Sequence, residues 1–280
     1  MNILIAIVSG IFLAFLTNSV LDYLIASRGL AYRMVRPFKI MGVGENSISE
    51  ISASELNSEK IYIKNEFPTC HTCHIKIKLL PYFFGCKCPA CGASPRKRLW
   101  ILLLWMPLLF IYVTLFPIFG FRIADIFLLL TFYTMVFVMD VEHRVILLPL
   151  TLSGVLFGLY FGIHYHGVLY TLYGGLAGGV IMLLFYWLGV LYIRQVRKTS
   201  NPAMNEVALG FGDVTLSLIL GLILGWPGVL GGLFFGILLG GVISGGMLIV
   251  KIALKKYAPN DLILPYAPFL IIGAFLIMIL

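Results

Sequence analysis

Eight long apolar runs constrain the fold of this chain more than any other feature. They cover residues 3–25, 99–119, 123–139, 145–165, 167–193, 209–225, 229–250 and 262–280. Hydrophobic residues make up 60% of the sequence and charged residues only 11%, which lies outside the range of soluble domains. Because about 20 apolar residues in a helix cross the hydrocarbon core of a bilayer, we predict an all-α polytopic membrane protein with about eight transmembrane helices.

Short polar or turn-forming segments separate these runs. His164–Gly167 divides the stretch from 145 to 193, which is too long for one span, and Trp226-Pro227-Gly228 is a strong turn signal. No basic residue precedes the first run, and the next one after it is Arg28. This run therefore lacks the positive start of a cleavable signal peptide and is predicted to be a retained span.

The distribution of basic residues predicts the orientation in the membrane. With the N-terminus outside, every one of the 20 Lys and Arg residues except Arg122 falls in a cytosolic segment, namely 26–98, 140–144, 194–208 or 251–261. Basic residues accumulate on the cytosolic side of membrane proteins. The sequence therefore predicts a multi-pass protein with its N-terminus outside and its large polar insert in the cytosol.

Two acids, Asp140 and Asp213, stand at the ends of apolar runs. Acids at such positions are costly and are often functional. The predicted topology places both at the cytosolic face and at the same membrane depth. Two neighbouring carboxyl groups can share one proton, so that one acts as an acid while the other acts as a base. We therefore expect an acid–base site if the fold brings them together.

Gly210 and Gly212 directly precede the second of these acids. They loosen the start of the helix and leave backbone next to Asp213 open to an extended peptide. The other glycines are spaced four apart within spans, as in Gly174/Gly178 and Gly236/Gly240, a pattern typical of close helix packing.

The polar insert, residues 26–98, carries all five cysteines. Cys70, Cys73, Cys88 and Cys91 form two C-x-x-C pairs, a spacing typical of a tetrahedral four-thiolate zinc site. Such a site has no open position and would be structural. A redox pair or buried thiols are the alternatives, Cys86 is the spare thiol, and His71 and His74 are possible substitute ligands. The alternation in Lys60–Phe67 suggests a short strand.

Three further polar residues lie in or near spans. Asn18 and Asp22 share one face of the first span, where they either line an active site or bond to neighbouring helices. Asp125 lies close to Arg122, which predicts a surface ion pair.

Several of these segments together resemble the type IV prepilin peptidases, over nearly the whole chain. Asp140-Val141-Glu142-His143-Arg144 resembles the first aspartate motif of that family, and Asn205–Val214, with its Gly210-Phe211-Gly212-Asp213 core, resembles the second. The paired C-x-x-C motifs, Phe15–Val20 and Leu264–Phe269 also resemble family segments. The chain departs from the family pattern at three positions. Leu147 stands where proline is usual, Leu148 where an acid or amide is usual, and Thr215 where lysine is usual.

The resemblance implies a membrane aspartic endopeptidase of the bacterial inner membrane. Its catalytic residues would be Asp140 and Asp213, supported by Gly210 and Gly212, and Glu142 or Glu206 would hold the basic leader of a type IV prepilin or pseudopilin. Zinc is the implied metal. Family members with a cysteine-bearing loop often also methylate the new N-terminus, which makes S-adenosylmethionine an implied cofactor.

The sequence therefore predicts three parts: a first transmembrane helix at 1–25, a cytosolic zinc-binding domain at 26–98, and a seven-helix protease domain at 99–280. Lipid and prepilins are the expected partners, and no nucleic acid is expected. Two alternatives come from other functional classes. One is a small proton-coupled transporter, which would need acids at mid-membrane. The other is a non-enzymatic scaffold for pilus or secretion assembly.

Overall fold

The computed structural model describes residues 2–26, 68, 70, 72–73, 75–118, 120–144, 146–199, 210–253 and 265–280. Within these ranges the chain is almost entirely helical and contains no β-strand. The strand suggested for Lys60–Phe67 lies outside the described residues, as do His71, His74 and Glu206.

Nine helices are described, and eight of them coincide with the predicted apolar runs. They are α1 (Asn2–Ala26), α2 (Leu79–Phe83), α3 (Lys97–Leu115), α4 (Ile123–His143), α5 (Leu148–His166), α6 (Val168–Thr199), α7 (Phe211–Leu224), α8 (Gly228–Ala253) and α9 (Ala267–Ile279). Among these, α1, α3, α4, α5, α6 and α8 are long and apolar enough to cross a membrane. The helices α7 and α9 are equally apolar but have only 14 and 13 residues. The predicted all-α membrane fold is confirmed.

The predicted breaks between spans are also present. Helix α5 ends at His166, and Gly167 follows with a φ of 82°, a left-handed conformation that favours glycine. Trp226 and Pro227 form the turn between α7 and α8.

The chain divides into two compact units. The first comprises Met1–Phe116 with Leu147–Pro149, and the second comprises Pro117–Ile146 with Leu150–Leu280. In the first unit α1 packs tightly against α3, because a Cβ atom at Gly10 would lie only 2.7 Å from the Cα atom of Pro107. The predicted division into parts 1–25, 26–98 and 99–280 stays a prediction.

In the second unit the two short helices are held by glycine contacts. A side chain at Gly174 of α6 would collide with the backbone of Gly221 and Gly225 at the end of α7. On the other side, a Cβ atom at Gly236 of α8 would lie 2.9 Å from the Cα atom of Leu270 in α9. The glycine spacing therefore serves close helix packing, and this packing sets the positions of α7 and α9.

Asp125 does not form the predicted surface ion pair. It is buried near the start of α4, and its Oδ2 atom accepts a 2.5 Å hydrogen bond from the Tyr165 hydroxyl group. The same hydroxyl oxygen accepts a 3.1 Å hydrogen bond from the backbone N–H of Arg122. Sequence proximity suggested Arg122 as the partner, but the α5 tyrosine reaches the carboxyl group across the helix pair.

Candidate active site and metal centre

Asp140 lies in the last turn of α4 and is only 6% exposed. Its Oδ2 atom accepts a 3.0 Å hydrogen bond from the backbone N–H of Ala267, the first residue of α9. That N–H belongs to the first turn of a helix, where backbone donors have no partner within the helix itself. The start of α9 therefore holds the Asp140 carboxyl group in one orientation.

Asp213 lies in the first turn of α7 and is 9% exposed. Its Oδ2 atom accepts a 3.1 Å hydrogen bond from the backbone N–H of Gly210, the residue that precedes the helix. An acid in the first turn is also favoured by the helix dipole. Local sequence therefore positions Asp213, whereas Asp140 depends on a residue more than 100 positions away.

The two carboxyl groups lie near enough to interact electrostatically. Tyr266, directly before α9, is close to the same place. Its phenol lies near enough to Asp213 for the two groups to interact electrostatically. Tyr266 therefore lies near Asp213, and Ala267 lies next to Asp140. The sequence predicted a common membrane depth for the acids, and in the structure they lie within range of electrostatic interaction.

Sequence reasoning did not assign a role to Tyr266 or Ala267. The resemblance of Leu264–Phe269 to a family segment was the signal that could have found them. The ring of Tyr266 rests against α8 at a position where only glycine fits, because a Cβ atom at Gly240 would lie 2.7 Å from the ring.

The two glycines next to Asp213 present no side chain toward it. A Cβ atom at Gly212 would make ordinary van der Waals contact with Ile146, at 3.4 Å, and one at Gly210 would lie 3.7 Å from Asp213 Oδ2. Two of the residues that depart from the family pattern are Leu147 and Thr215. Leu147 is buried. The hydroxyl group of Thr215 donates a 2.8 Å hydrogen bond to the carbonyl oxygen of Gly212. Thr215 therefore stabilises the first turn of α7.

Glu142 lies two residues after Asp140, near the end of α4, and is exposed. Its Oε2 atom is 3.7 Å from Nε2 of His143. It lies at the surface of the second unit, at the same end of α4 as Asp140.

In the first unit, the Sγ atoms of Cys70, Cys73, Cys88 and Cys91 all lie within 4.8 Å of one another. The Cys70–Cys91 and Cys73–Cys88 sulfur distances are 3.6 Å and 3.7 Å. A tetrahedron with zinc–sulfur bonds of about 2.3 Å has edges of roughly 3.8 Å, whereas a disulfide bond is far shorter. The four thiols therefore fit a metal ion and could hold zinc.

The backbone around Cys70 and Cys88 favours the ionised form that a metal requires, whereas burial and the neighbouring thiols raise the pKa of Cys91. Hydrogen bonds from the backbone N–H groups of Cys73 and Thr72 lower the pKa of Cys70 to about 6. In the second pair, the backbone N–H of Cys91 likewise lowers the pKa of Cys88. Cys86 is exposed and is not part of the cluster.

Asn18 and Asp22 bond to neighbouring elements of the first unit. Asp22 Oδ1 accepts hydrogen bonds from Arg98 at 2.7 Å and from Arg96 at 2.9 Å, and its Oδ2 accepts one from the Tyr82 hydroxyl group at 2.5 Å. Arg98 Nε also donates to the side chain of Asn18 at 3.0 Å. This polar network joins α1 to the start of α3 and to α2, as the second of the two alternatives predicted.

Residues 126–245 match the type IV leader peptidase family. Both aspartates lie within the matched segment, which confirms the resemblance found in their motifs and supports a leader peptidase activity. No curated protein and no solved structure matches the chain.

Proposed function

We propose that this chain, whose residues 126–245 belong to the type IV leader peptidase family, is an aspartic endopeptidase. It removes the short basic leader of type IV prepilins or pseudopilins at the cytosolic face of the bacterial inner membrane. The observation that carries the proposal is the meeting of Asp140 and Asp213, both buried, beside the start of α9.

The hydrogen bonds of the two acids suggest that the two oxygen atoms of each carboxyl group have different roles. In each aspartate the Oδ2 atom is held by a backbone N–H, from Ala267 or from Gly210. Among the described residues no hydrogen bond is made to either Oδ1 atom, which leaves these oxygens for water and substrate. A catalytic group held in one orientation saves the entropy of ordering it during the reaction.

The reaction follows from a pair that shares one proton. The ionised aspartate takes a proton from water while the protonated aspartate donates a hydrogen bond to the scissile carbonyl oxygen. The water oxygen bonds to the carbonyl carbon, and the C–N bond then breaks as the leaving amine takes up a proton. Water is consumed, and the pair returns to its starting state with one proton.

Substrate access and leader binding are supported by neighbouring residues. Gly210 is exposed and, like Gly212, carries no side chain, which favours the approach of an extended peptide to Asp213. Glu142 would attract the basic leader by charge, and Glu206 is the second candidate for this role. Zinc held by Cys70, Cys73, Cys88 and Cys91 would stabilise the fold of the insert, since four thiolates leave no position for substrate.

Leader cleavage by the purified protein tests the proposal directly. The protein is incubated in liposomes with a prepilin, and loss of the leader is measured by mass spectrometry for wild type, Asp140→Asn and Asp213→Asn. We expect each variant to lose at least about 10³-fold in rate, as is usual when one member of a catalytic unit is removed. Both variants should still insert into the membrane and bind zinc.

Asp125→Asn is the matched control. Asp125 is also a buried acid of α4, but it lies at the opposite end of this helix from Asp140. It should retain cleavage. Activity of either catalytic variant at the wild-type rate would refute the proposal. An inactive wild-type protein would favour the alternative of a non-enzymatic assembly scaffold. The same spectra, recorded with S-adenosylmethionine, would reveal a methyl group on the new N-terminus.

A further inference from the structure

Residues Leu79–Phe84 form an unusually apolar segment inside the polar insert, with the sequence Leu-Leu-Pro-Tyr-Phe-Phe. The side chains of Leu79, Leu80 and Phe84 are 66%, 69% and 57% exposed. Large apolar side chains that cluster on a surface usually mark an interaction site rather than contact with water. The exposed side chains of this segment are therefore expected to contact an apolar environment rather than water.

Its neighbours lie along a membrane helix. The ring of Phe83 is centred 6.2 Å from that of Phe12 and 6.0 Å from that of Phe15, and the ring of Phe84 is 5.7 Å from that of Phe15. Both partners belong to α1, in which residues 3–25 are apolar enough to span a bilayer. The segment thus lies against the membrane-spanning part of α1.

The polar network fixes the depth of this contact. Asp22, bonded to Arg96 and Arg98, lies four residues before the end of α1 at Ala26. Because charged groups are costly in hydrocarbon, this ion-pair network places that end of α1 near the boundary of the hydrocarbon core. Phe12 lies ten residues before Asp22 on the same helix, a distance of about 15 Å at roughly 1.5 Å per residue. The hydrocarbon core is about 30 Å thick, so Phe83 approaches a level near its middle.

The backbone N–H groups in the second half of the segment are paired within the protein. The N–H groups of Tyr82, Phe84 and Gly85 donate to the carbonyl oxygens of Lys78, Leu80 and Tyr82, each at 3.1 Å. Cys86 N–H donates to the Pro81 carbonyl oxygen at 2.9 Å, and Pro81 itself has no N–H to satisfy. Backbone groups in hydrocarbon must be paired within the protein, and these are.

We propose that Leu79–Phe84 is a re-entrant segment that dips into the bilayer beside α1 and returns to the same side. Leu79, Leu80 and Phe84 contact lipid acyl chains, so that their surface continues the lipid-facing surface of α1. Lys78 and Lys87, on either side, reach back to the headgroups, as long basic side chains do. The cysteine cluster is thereby anchored at the membrane surface. This inference does not depend on the peptidase activity.

Depth-dependent fluorescence quenching tests the proposal in the full-length, zinc-loaded protein. A fluorescent amino acid replaces Leu80, and the protein is placed in liposomes whose lipids carry bromine in the middle of the acyl chains. Leu104 of α3, which is 68% exposed on a membrane span, is the positive control, and the exposed Lys87 is the water-facing control. We expect quenching at position 80 within about twofold of that at position 104.

Quenching at position 80 as weak as at position 87 would overturn the proposal. Quenching that appears only after the protein is diluted in the membrane would also overturn it, because a second copy of the chain would then cover the surface. Zinc content is measured for each labelled protein to show that the insert remains folded. If the label at position 80 removes zinc, the same measurement at Phe84 decides.

Discussion

The backbone N–H of Ala267 donates a 3.0 Å hydrogen bond to Oδ2 of Asp140, and so joins the first turn of α9 to the last turn of α4. The contact ties a buried acid to a helix that begins 127 residues later. Because Tyr266, the residue directly before α9, lies near Asp213, two consecutive residues at the start of α9 adjoin the two members of the proposed catalytic pair.

This bond predicts different stabilities for two inactive variants. Asp140→Ala leaves the Ala267 N–H without a partner in a buried place, which costs about 1–3 kcal/mol. Asp140→Asn keeps an acceptor oxygen and should unfold close to the wild-type temperature. Thermal unfolding in detergent measures the difference, which we expect to be several degrees. Equal midpoints for the two variants would show that the hydrogen bond does not stabilise the protein.

Tyr266 is predicted to contribute a hydrogen bond to the reaction. Its phenol is protonated at neutral pH, as that of an ordinary tyrosine is, so it is a hydrogen-bond donor near Asp213. Tyr266→Phe retains the ring that packs against Gly240 but removes the hydroxyl group. We expect kcat to fall by about 10²-fold with KM little changed, which is typical of a lost transition-state donor. Tyr160→Phe, at an exposed tyrosine on α5, should have no effect.

The cysteine cluster predicts one zinc ion per chain. Cys88→Ser removes a buried ligand and should abolish zinc binding, whereas Cys86→Ser changes an exposed thiol outside the cluster and should leave the metal content unchanged. Elemental analysis of the purified variants measures both. A four-thiolate site gains folding free energy from its metal, so a chelator should lower the unfolding temperature of wild type but not of Cys88→Ser.

The Asp22 network predicts unequal roles for its two arginines. Arg98 is 5% exposed at its side chain and Arg96 is 41% exposed. Arg98→Met leaves the Asp22 carboxylate without its buried partner, which costs about 3–5 kcal/mol when one member of a buried pair is lost. Arg96→Met should cost less than about 1 kcal/mol, since exposed pairs contribute little. Comparable losses in unfolding temperature would contradict this ranking.

Sequence reasoning located the helices well because membrane spans depend on local composition. The run predicted at 123–139 corresponds to α4 at Ile123–His143, and the run at 209–225 corresponds to α7 at Phe211–Leu224. It could not foresee that Asp125 bonds to Tyr165 or that Asp22 bonds to Arg98, because those partners are chosen by helix packing between distant segments.

The sequence by itself determined the membrane class, the helix order, the two acids and the cysteine cluster, since each depends on residues close together in the chain. Only the tertiary structure decided that Asp140 and Asp213 interact and that Tyr266 and Ala267 adjoin them. The physical reason lies in the glycine contacts that set α7 against α6 and α9 against α8. The four-residue glycine spacing indicates which helix faces can pack closely, but which helices pair through those faces depends on side-chain shape across distant segments.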